Sequence, residues 1–246
     1  MFEVEYVDEH GQRCREALAT CWQRRFELAA PSRGFPVYRG QRSFSGWWWA
    51  ATTGEHVAYE SWLERLVVMR LDFDPRVVGL AAQPFWLHWH DGHRARRHAP
   101  DYFVRRDDGT GVVVDVRADD RIKASDAEAF AAMARACAQV GWEFARLGAT
   151  SAVIEANLRW LAGYRHSRCW RQETAAALAA AFAAPRGLLD GVRVVGQQIA
   201  VLPVAFHLLW RQVLAADLAA APLGPSTMVQ AQSGVVDPAS AVRGHT

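Results

Sequence analysis

Hydrophobic and polar residues change their spacing several times along the chain, and each spacing predicts a different element. Residues 2–7 alternate apolar and acidic side chains, and a second run covers 13–18 after turn-forming residues, which predicts an N-terminal hairpin. Residues 31–46 are rich in Gly, Pro, Ser and Arg without a clear period, which indicates a connecting arm. From Val57 to Leu71 apolar residues recur at steps of three and four, so a helix with one buried face is predicted.

The segment between this helix and residue 147 combines short strands with one further helix. The predicted strands cover residues 77–80, 85–89, 101–104, 112–116 and 142–147, and the predicted helix covers 126–140 with Ser125 or Asp126 as its N-cap. Asp107-Asp108-Gly109 is a turn signal between the third and fourth strands, so these two strands are expected to pair as a hairpin. The pattern predicts an α/β (α+β) fold in which a mixed sheet is flanked by helices.

Beyond the small residues at 148–151 the pattern becomes mainly helical. Four helices are predicted at 152–161, 172–182, 188–195 and 203–214, followed by a small hairpin within 217–229. Short helices followed by a hairpin favour a smaller, winged-helix-like domain. The final residues lack an apolar period and are expected to be disordered. The predicted organisation is therefore hairpin and arm (1–46), core (47–148), winged-helix-like domain (149–230) and disordered tail (231–246).

The composition is that of an ordinary globular chain. Of the 246 residues, 51% are hydrophobic and 22% are charged, which excludes collagen-like and disordered classes. Because the net charge is only +2, contacts with nucleic acid would depend on local basic patches. The candidate DNA-binding residues are Arg94, Arg96, Arg97 and Arg105, with an ordinary solvated surface as the alternative.

The cellular location is also constrained by the sequence. The four cysteines show no CxxC spacing, which favours reduced thiols. No apolar run reaches the length of a membrane span, and the acidic N-terminal residues do not resemble a signal peptide. We therefore expect a cytoplasmic protein that does not contact membranes.

Asp115 interrupts a run of valines that has the length of a buried strand. Burying a carboxylate is costly unless a cation or hydrogen-bond donors compensate its charge. Asp101 opens the neighbouring strand of the same predicted hairpin, and carboxylates on adjacent strands suit Mg²⁺ or Mn²⁺, which prefer oxygen ligands. Arg117 follows Asp115 by two residues and therefore faces the same side, where it is expected to hold a phosphate oxygen or the attacking water.

Glu60 and Glu64 lie four residues apart in the predicted helix, so they share one side of it. We expect one of these carboxylates to reach the acids on the strands. The alternative is that both are solvated and that Glu64 pairs locally with Arg65.

Two further clusters have both a structural and a functional interpretation. Trp47-Trp48-Trp49 could stack on unpaired bases, but consecutive strand residues point to alternate faces, so packing is favoured. The spacing of the histidines at 88, 90, 93 and 98 matches no closed zinc motif, and Asp91-Gly92 is a turn signal. We therefore interpret them as exposed turn residues, of which His98 alone is placed near the candidate acids.

Pro100-Asp101 followed by Asp115-x-Arg117 resembles the PD-(D/E)xK motif of nucleases with a restriction-endonuclease-like fold. Four flanking blocks narrow the resemblance: Tyr59 to Arg65, Leu71 to Pro75, Gln83 to Phe85, and Cys137 to Trp142. In this order they are similar to the TnsA endonuclease subunit of heteromeric cut-and-paste transposases. The resemblance covers about residues 40–147 and continues more weakly to about residue 230.

This resemblance implies a restriction-endonuclease-like mixed sheet and a Mg²⁺-dependent endonuclease (Mn²⁺ being the alternative ion) that cuts one DNA strand at transposon ends. Glu64, as the helix acid followed by Arg, would bind the metal together with Asp101 and Asp115, and Glu60 is the fallback. Arg117 would complete the catalytic set. The implied partners are the transposon-end DNA, a DDE transposase subunit that cuts the other strand, and an ATP-dependent transposition regulator.

The chain departs from the family pattern at two positions. Asp115 stands where Glu or Gln is commoner, and Arg117 stands where Lys is usual. Arg stays protonated, so Arg117 would orient water or neutralise phosphate but would not act as a base. Two alternative hypotheses follow: a catalytically weak nuclease fold that docks DNA or assembles the transposase, and a winged-helix DNA-binding regulator.

Overall fold

The computed structural model describes residues 1–34 and 44–232, which fall into two compact units. The first unit covers Met1–Ala149, and the second begins at Thr150. Residues 35–43 of the predicted arm and 233–246 of the predicted tail lie outside the described residues. Within the described ranges, no helix is long and apolar enough to cross a membrane.

The first unit contains ten strands and three α-helices among its described residues. In chain order these are β1 (Glu3–Val7), β2 (Arg13–Ala17), α1 (Leu18–Cys21), β3 (Gly46–Trp49), β4 (His56–Tyr59), α2 (Trp62–Phe73), β5 (Val77–Ala82), β6 (Phe85–His90), β7 (Ala95–His98), β8 (Tyr102–Arg106), β9 (Gly111–Val116), α3 (Ala124–Gln139) and β10 (Glu143–Leu147).

The first unit is centred on a four-stranded mixed sheet with the order β10-β9-β8-β5. Strand β9 pairs antiparallel with β8 and parallel with β10, and β5 pairs antiparallel with β8. Residues 112–114 of β9 are buried, as expected for a continuous apolar run inside a sheet that is covered on both faces. The predicted hairpin of β8 and β9 is confirmed, and its turn places Gly109 at φ +86°, a conformation that glycine adopts without strain.

A second, antiparallel sheet has the order β2-β1-β6-β7. The N-terminal hairpin, predicted together with the arm as residues 1–46, is formed by β1 and β2 and joins this sheet because β1 pairs with β6. The prediction that strands between residues 47 and 147 share one mixed sheet is therefore wrong for β6 and β7, and it is also wrong for β3 and β4, which form a separate two-stranded sheet. The alternating pattern of a short strand specifies which face is buried, but not which neighbour completes its hydrogen bonds.

Four aromatic side chains form the centre of the core that is shared by the two sheets. Phe26 meets Phe85 edge-on with ring centroids 5.1 Å apart, and Trp142 meets Phe103 in the same way at 5.0 Å. Edge-to-face pairs of this kind contribute about 0.5–1.5 kcal/mol each beyond their burial. Gly111 permits this packing, since a Cβ at that position would lie 2.8 Å from Phe103 Cζ.

Helix α2 starts later than the sequence pattern predicts. Residues 57–59 belong to β4, which pairs with the tryptophan-rich strand β3. The helix begins at Trp62 because the hydroxyl of Ser61 accepts the backbone N–H of Glu64 at 3.1 Å, which is an N-cap contact. Trp48 is 4% exposed and its indole N–H donates to Asp72 at 2.9 Å, so the packing interpretation is confirmed for this residue.

The start of α3 also differs from the prediction. The helix begins at Ala124, with Lys123 as the residue before it. Neither Ser125 nor Asp126 is the N-cap. Asp126 instead lies within the first turn and accepts the backbone N–H of Lys123 at 3.1 Å, so its carboxylate reaches back to the helix start.

The second unit is mainly helical and includes a small sheet. Its elements are α4 (Ala152–Ala162), α5 (Gln172–Ala181), β11 (Arg186–Gly187), α6 (Leu188–Val195), α7 (Gln198–Trp210), β12 (Leu214–Ala215) and β13 (Met228–Ala231). The three strands form one antiparallel sheet in the order β11-β13-β12. The buried side chains of Leu161, Leu178, Phe182 and Leu208 contribute to its core.

Three predicted boundaries in the second unit are wrong. Helix α7 begins five residues before Pro203, which lies inside the helix. The terminal hairpin uses residues 214–215 and 228–231 as its strands, while most of the predicted segment 217–229 is the connection between them. Ala231, assigned to the tail, lies in β13 and donates its N–H to Phe182. Short strands of two to four residues carry too little periodicity to be placed from sequence.

Candidate active site

Asp101 and Asp115 meet at one end of the central sheet. The β8–β9 register pairs Tyr102 with Val114, so the next position outward brings Asp101 opposite Asp115. The backbone N–H of Val116 donates to Asp101 Oδ2 at 2.6 Å. The carbonyl of Asp101 accepts the N–H of Gln83, which follows β5, so β9 holds this acid through its side chain and the residue after β5 holds it through its backbone.

The carboxylate of Asp115 is 2% exposed and is bound by His98. His98 Nε2 lies 2.9 Å from Oδ1 and 3.0 Å from Oδ2 of Asp115, so it serves as a donor shared by both oxygens. His98 is the last residue of β7 in the second sheet. The two sheets therefore meet at the candidate site through this contact.

Glu64 lies in the first turn of α2 and is bound to the start of that helix. Its Oε1 accepts the Ser61 hydroxyl at 2.9 Å, and its Oε2 accepts the Glu60 N–H at 2.7 Å. The Glu60 side chain pairs instead with Arg33, with Nη2 and Oε2 2.7 Å apart. Glu64 therefore does not pair with Arg65, which the alternative interpretation predicts. The guanidinium of Arg65 instead lies 5.4 Å from the ring centroid of Trp62.

Four acids, Glu60, Glu64, Asp101 and Asp115, line one open pocket of about 340 Å³. Its charged and polar lining consists of Glu60, Glu64, Asp101, Asp115, Arg33, Arg97, Arg117 and His98. The structure thus brings together all four residues of the predicted catalytic set and the fallback acid.

Two acids of the pocket, Asp101 and Glu64, are harder to ionise than an exposed carboxylic acid, because both have raised pKa values. Burial, together with the negative charges of Asp115 and Glu64, holds the pKa of Asp101 well above its usual value. Burial also raises the pKa of Glu64, while hydrogen bonds from the Glu60 N–H and from Ser61 act in the opposite direction. Arg33 lowers the pKa of both acids by its positive charge. A divalent cation beside these two acids would favour their charged forms.

The donor atoms fit a magnesium or manganese ion by type and charge, since three or four carboxylates face one pocket. Their conformations are those of hydrogen-bonded side chains: both oxygens of Asp115 and both oxygens of Glu64 accept protein donors. Within residues 1–34 and 44–232, no three His, Cys, Asp or Glu side chains are arranged to hold a metal ion. Binding of one ion by three of these carboxylates therefore requires side chains to move from these positions.

Arg117 and Arg97 both line the pocket. Arg117 directly follows β9, its side chain is 46% exposed, and its Nη2 lies 3.4 Å from Asp126 Oδ1. Arg97 is exposed, and its guanidinium lies 4.5 Å from the ring centroid of Trp86. Two permanently charged guanidinium groups are thus available beside the acids.

The other arginines proposed for DNA binding lie elsewhere. Arg96 pairs with Asp91 and more weakly with Glu128, and it lines a neighbouring groove. Arg94 is exposed in the β6–β7 turn. Arg105 pairs with Glu27 and is three residues further along β8 than Tyr102, away from the end that holds the acids.

Arg33 is the one charged residue of the pocket that the sequence pattern does not link to the site. Arg33 was placed in the connecting arm, where nothing in its neighbourhood indicates a site. Ser61 and Glu64, by contrast, have the Ser-x-x-Glu spacing that is typical of a helix start, so this contact was detectable in the sequence.

Compared with protein-family models and with curated proteins, the chain gives no match.

Proposed function

We propose that this chain is a Mg²⁺-dependent (or Mn²⁺-dependent) DNA endonuclease of the PD-(D/E)xK type, a TnsA-like subunit that hydrolyses one strand at transposon ends. The observation that carries the proposal is the placement of Asp101, directly before β8, opposite Asp115 in the adjacent strand β9 of a mixed sheet. Glu64 and Arg117 line the same pocket. The restriction-endonuclease-like fold implied by the resemblance is supported by a sheet that pairs β8 and β9 antiparallel and β9 and β10 parallel.

In this proposal Glu64, Asp101 and Asp115 hold the ion, and Glu60 is the fallback. A bound divalent ion supplies an activated water and stabilises charge on the scissile phosphate. Arg117 keeps its charge and neutralises a phosphate oxygen. His98 and the Val116 N–H maintain the orientations of the two aspartates before the ion binds.

The neighbouring groove offers a path for the DNA strand. Its volume is about 700 Å³, it shares Arg97 and His98 with the candidate pocket, and it continues between the β6–β7 hairpin and α3. Its charged lining is balanced, with Arg96, Arg97 and Arg135 against Asp91, Asp126 and Glu128. This balance supports weak, salt-sensitive DNA binding by the isolated chain.

The second unit supports a role in assembly. Helix α5, strand β11, helices α6 and α7, and strands β12 and β13 follow one another in the order of a winged-helix module, with the three strands in one sheet. We assign this unit to docking on DNA or on a protein partner. The partners proposed from the resemblance are a DDE transposase subunit and an ATP-dependent regulator, acting in the cytoplasm.

One observation favours a second candidate, a catalytically weak subunit that docks DNA. Both oxygens of Asp115 are bound by His98, and both oxygens of Glu64 are bound at the start of α2. If these hydrogen bonds are stronger than coordination to an ion, the pocket stays metal-free and the chain serves assembly alone.

Titration with Mg²⁺ and Mn²⁺ separates the two candidates. Calorimetry and thermal denaturation of the 246-residue chain should show ion binding that the Asp101→Ala variant abolishes, because that change removes a ligand. Asp107→Ala is the matched control, since Asp107 is an exposed aspartate in the turn of the same hairpin. Ion binding that is absent from the wild-type chain, or that survives Asp101→Ala, would contradict the endonuclease proposal.

A further inference from the structure

Arg33 is held in the candidate pocket by contacts of its own chain segment. The preceding residue, Ser32, donates its backbone N–H to the carbonyl of Gln83 at 2.8 Å. Gln83 in turn donates its N–H to the carbonyl of Asp101 at 2.9 Å. The backbone beside Arg33 is therefore connected by two hydrogen bonds to the backbone of a candidate metal ligand.

The guanidinium of Arg33 is only partly used by its protein partner. One terminal nitrogen, Nη2, pairs with Glu60 Oε2 at 2.7 Å, and the side chain is 36% exposed. The Nε atom is buried and has no hydrogen-bond acceptor among the described residues. An atom this deeply buried is out of reach of a ligand, so the accessible part of the guanidinium is its other terminal nitrogen, Nη1, which has no protein acceptor among the described residues.

We propose that Arg33 binds an oxygen of a DNA phosphodiester in the candidate pocket through the accessible Nη1 end of its guanidinium, while Glu60 holds Nη2. The guanidinium is a rigid planar fork, so a carboxylate can pair with Nη2 while a phosphate oxygen accepts from Nη1. The inference rests on the proposed function in one respect, namely that DNA is the ligand of this pocket.

The position of Arg33 suits this role better than that of Arg117. Arg117 is about half exposed and is directed to Asp126, at the rim of the pocket. Arg33 lines the same pocket as Glu64 and Asp101, and it pairs with Glu60, four residues before Glu64. A phosphate held by Arg33 would therefore lie beside the carboxylates that the proposed chemistry uses.

The test measures DNA binding without metal, so it does not depend on catalysis. A fluorescent duplex oligonucleotide is titrated with the 246-residue chain in EDTA at several salt concentrations, for the wild type, Arg33→Gln and Arg33→Lys. Arg76→Gln is the matched control, because Arg76 pairs with Asp74 at the opposite end of β5 from Gln83. Circular dichroism and thermal denaturation establish that each variant is folded.

Loss of one phosphate contact is expected to reduce the slope of log K against log salt by about 0.9 in Arg33→Gln. Arg33→Lys, which keeps the charge, is expected to keep the slope while binding more weakly. Arg76→Gln should leave the slope unchanged. An unchanged slope in Arg33→Gln overturns the inference, and so does wild-type binding too weak to measure at low salt.

This outcome is distinct from failure of the proposed function. If the metal titration fails and the Arg33→Gln slope still falls, the pocket binds phosphate without supporting metal chemistry. If ion binding depends on Asp101 and the slope does not change, Arg33 is a structural partner of Glu60 and the inference is wrong. Tighter Mn²⁺ binding by Arg33→Gln with an unchanged slope would likewise overturn it, since Arg33 would then only compensate the acids.

Discussion

The contact between His98 and Asp115 should make an unusually large contribution to stability for a histidine at the end of a strand. Asp115 is 2% exposed, and its two oxygens lie 2.9 and 3.0 Å from His98 Nε2. The substitution His98→Ala removes this donor and leaves a buried carboxylate without it. We expect a loss of free energy of unfolding well above that of an ordinary surface pair.

The magnitude follows from two effects. A hydrogen bond to a charged group contributes about 1.5–3 kcal/mol, and leaving a buried charge without its partner raises the cost to about 3–5 kcal/mol. The His98 side chain is 25% exposed, so water reaches the gap and screens part of that penalty. The expected loss is therefore about 2–3 kcal/mol in the metal-free protein.

Equilibrium urea unfolding in EDTA at neutral pH measures this loss, and a double-mutant cycle with Asp115→Asn isolates the pair. The expected coupling energy is about 1–2 kcal/mol. His88→Ala is the matched control: His88 pairs with Glu5 at 2.9 Å in the same sheet, but Glu5 is 22% exposed, so its loss should be about 1 kcal/mol or less. An equal loss in the two alanine variants, with coupling below about 0.5 kcal/mol, would refute the reasoning.

Two further predictions concern an acid of the pocket and a glycine of the second unit. Because burial and neighbouring carboxylates raise the folded-state pKa of Asp101, its contribution to stability is present below the ordinary value of 3.8 and is lost as pH rises through the raised value. Asp101→Asn should therefore stabilise the metal-free protein at neutral pH, and this gain in stability should shrink as the pH is lowered toward 3.8. Thermal denaturation at several pH values measures the gain. The control Asp107→Asn, at an exposed position, should show no such gain. Gly191→Ala should lower the free energy of unfolding, measured in urea, by about 1–2 kcal/mol, because its Cβ would lie 2.2 Å from Cζ of the buried Phe182. Alanine favours helices more than glycine does, so an increase in stability would show that the ring moves aside.

Much of the candidate site could be predicted from the chain because its central part is local. A turn signal between two apolar runs defines the hairpin of β8 and β9, and a hairpin places the residue before one strand opposite a residue near the end of the other. Asp101 and Asp115 follow from this geometry alone. Glu64 is specified in a similar way, since the Ser-x-x-Glu spacing determines where α2 begins.

The remaining parts depend on contacts between segments that are distant in the chain. Arg33 reaches Glu60 across 27 residues, and His98 reaches Asp115 from a different sheet. The local hydrophobic pattern does not predict such pairs, because they depend on which strand a given strand pairs with and on how two sheets pack. The choice of β1 as partner of β6 illustrates the point, since the edge groups of a strand can pair with any strand of suitable length.

The sequence by itself therefore determined the local elements of the site: the hairpin that sets two aspartates opposite each other, the helix start that holds a glutamate, and the arginine that follows β9. Turn formation, helix capping and hydrophobic periodicity depend on residues that are close together in the chain, so they can be recognised in the sequence. Only the tertiary structure decided that His98 binds the buried aspartate, that Arg33 lines the pocket, and that the strands of the first unit divide among three sheets. Those outcomes follow from burial and charge compensation across the packed core, which act between residues that the chain order keeps apart.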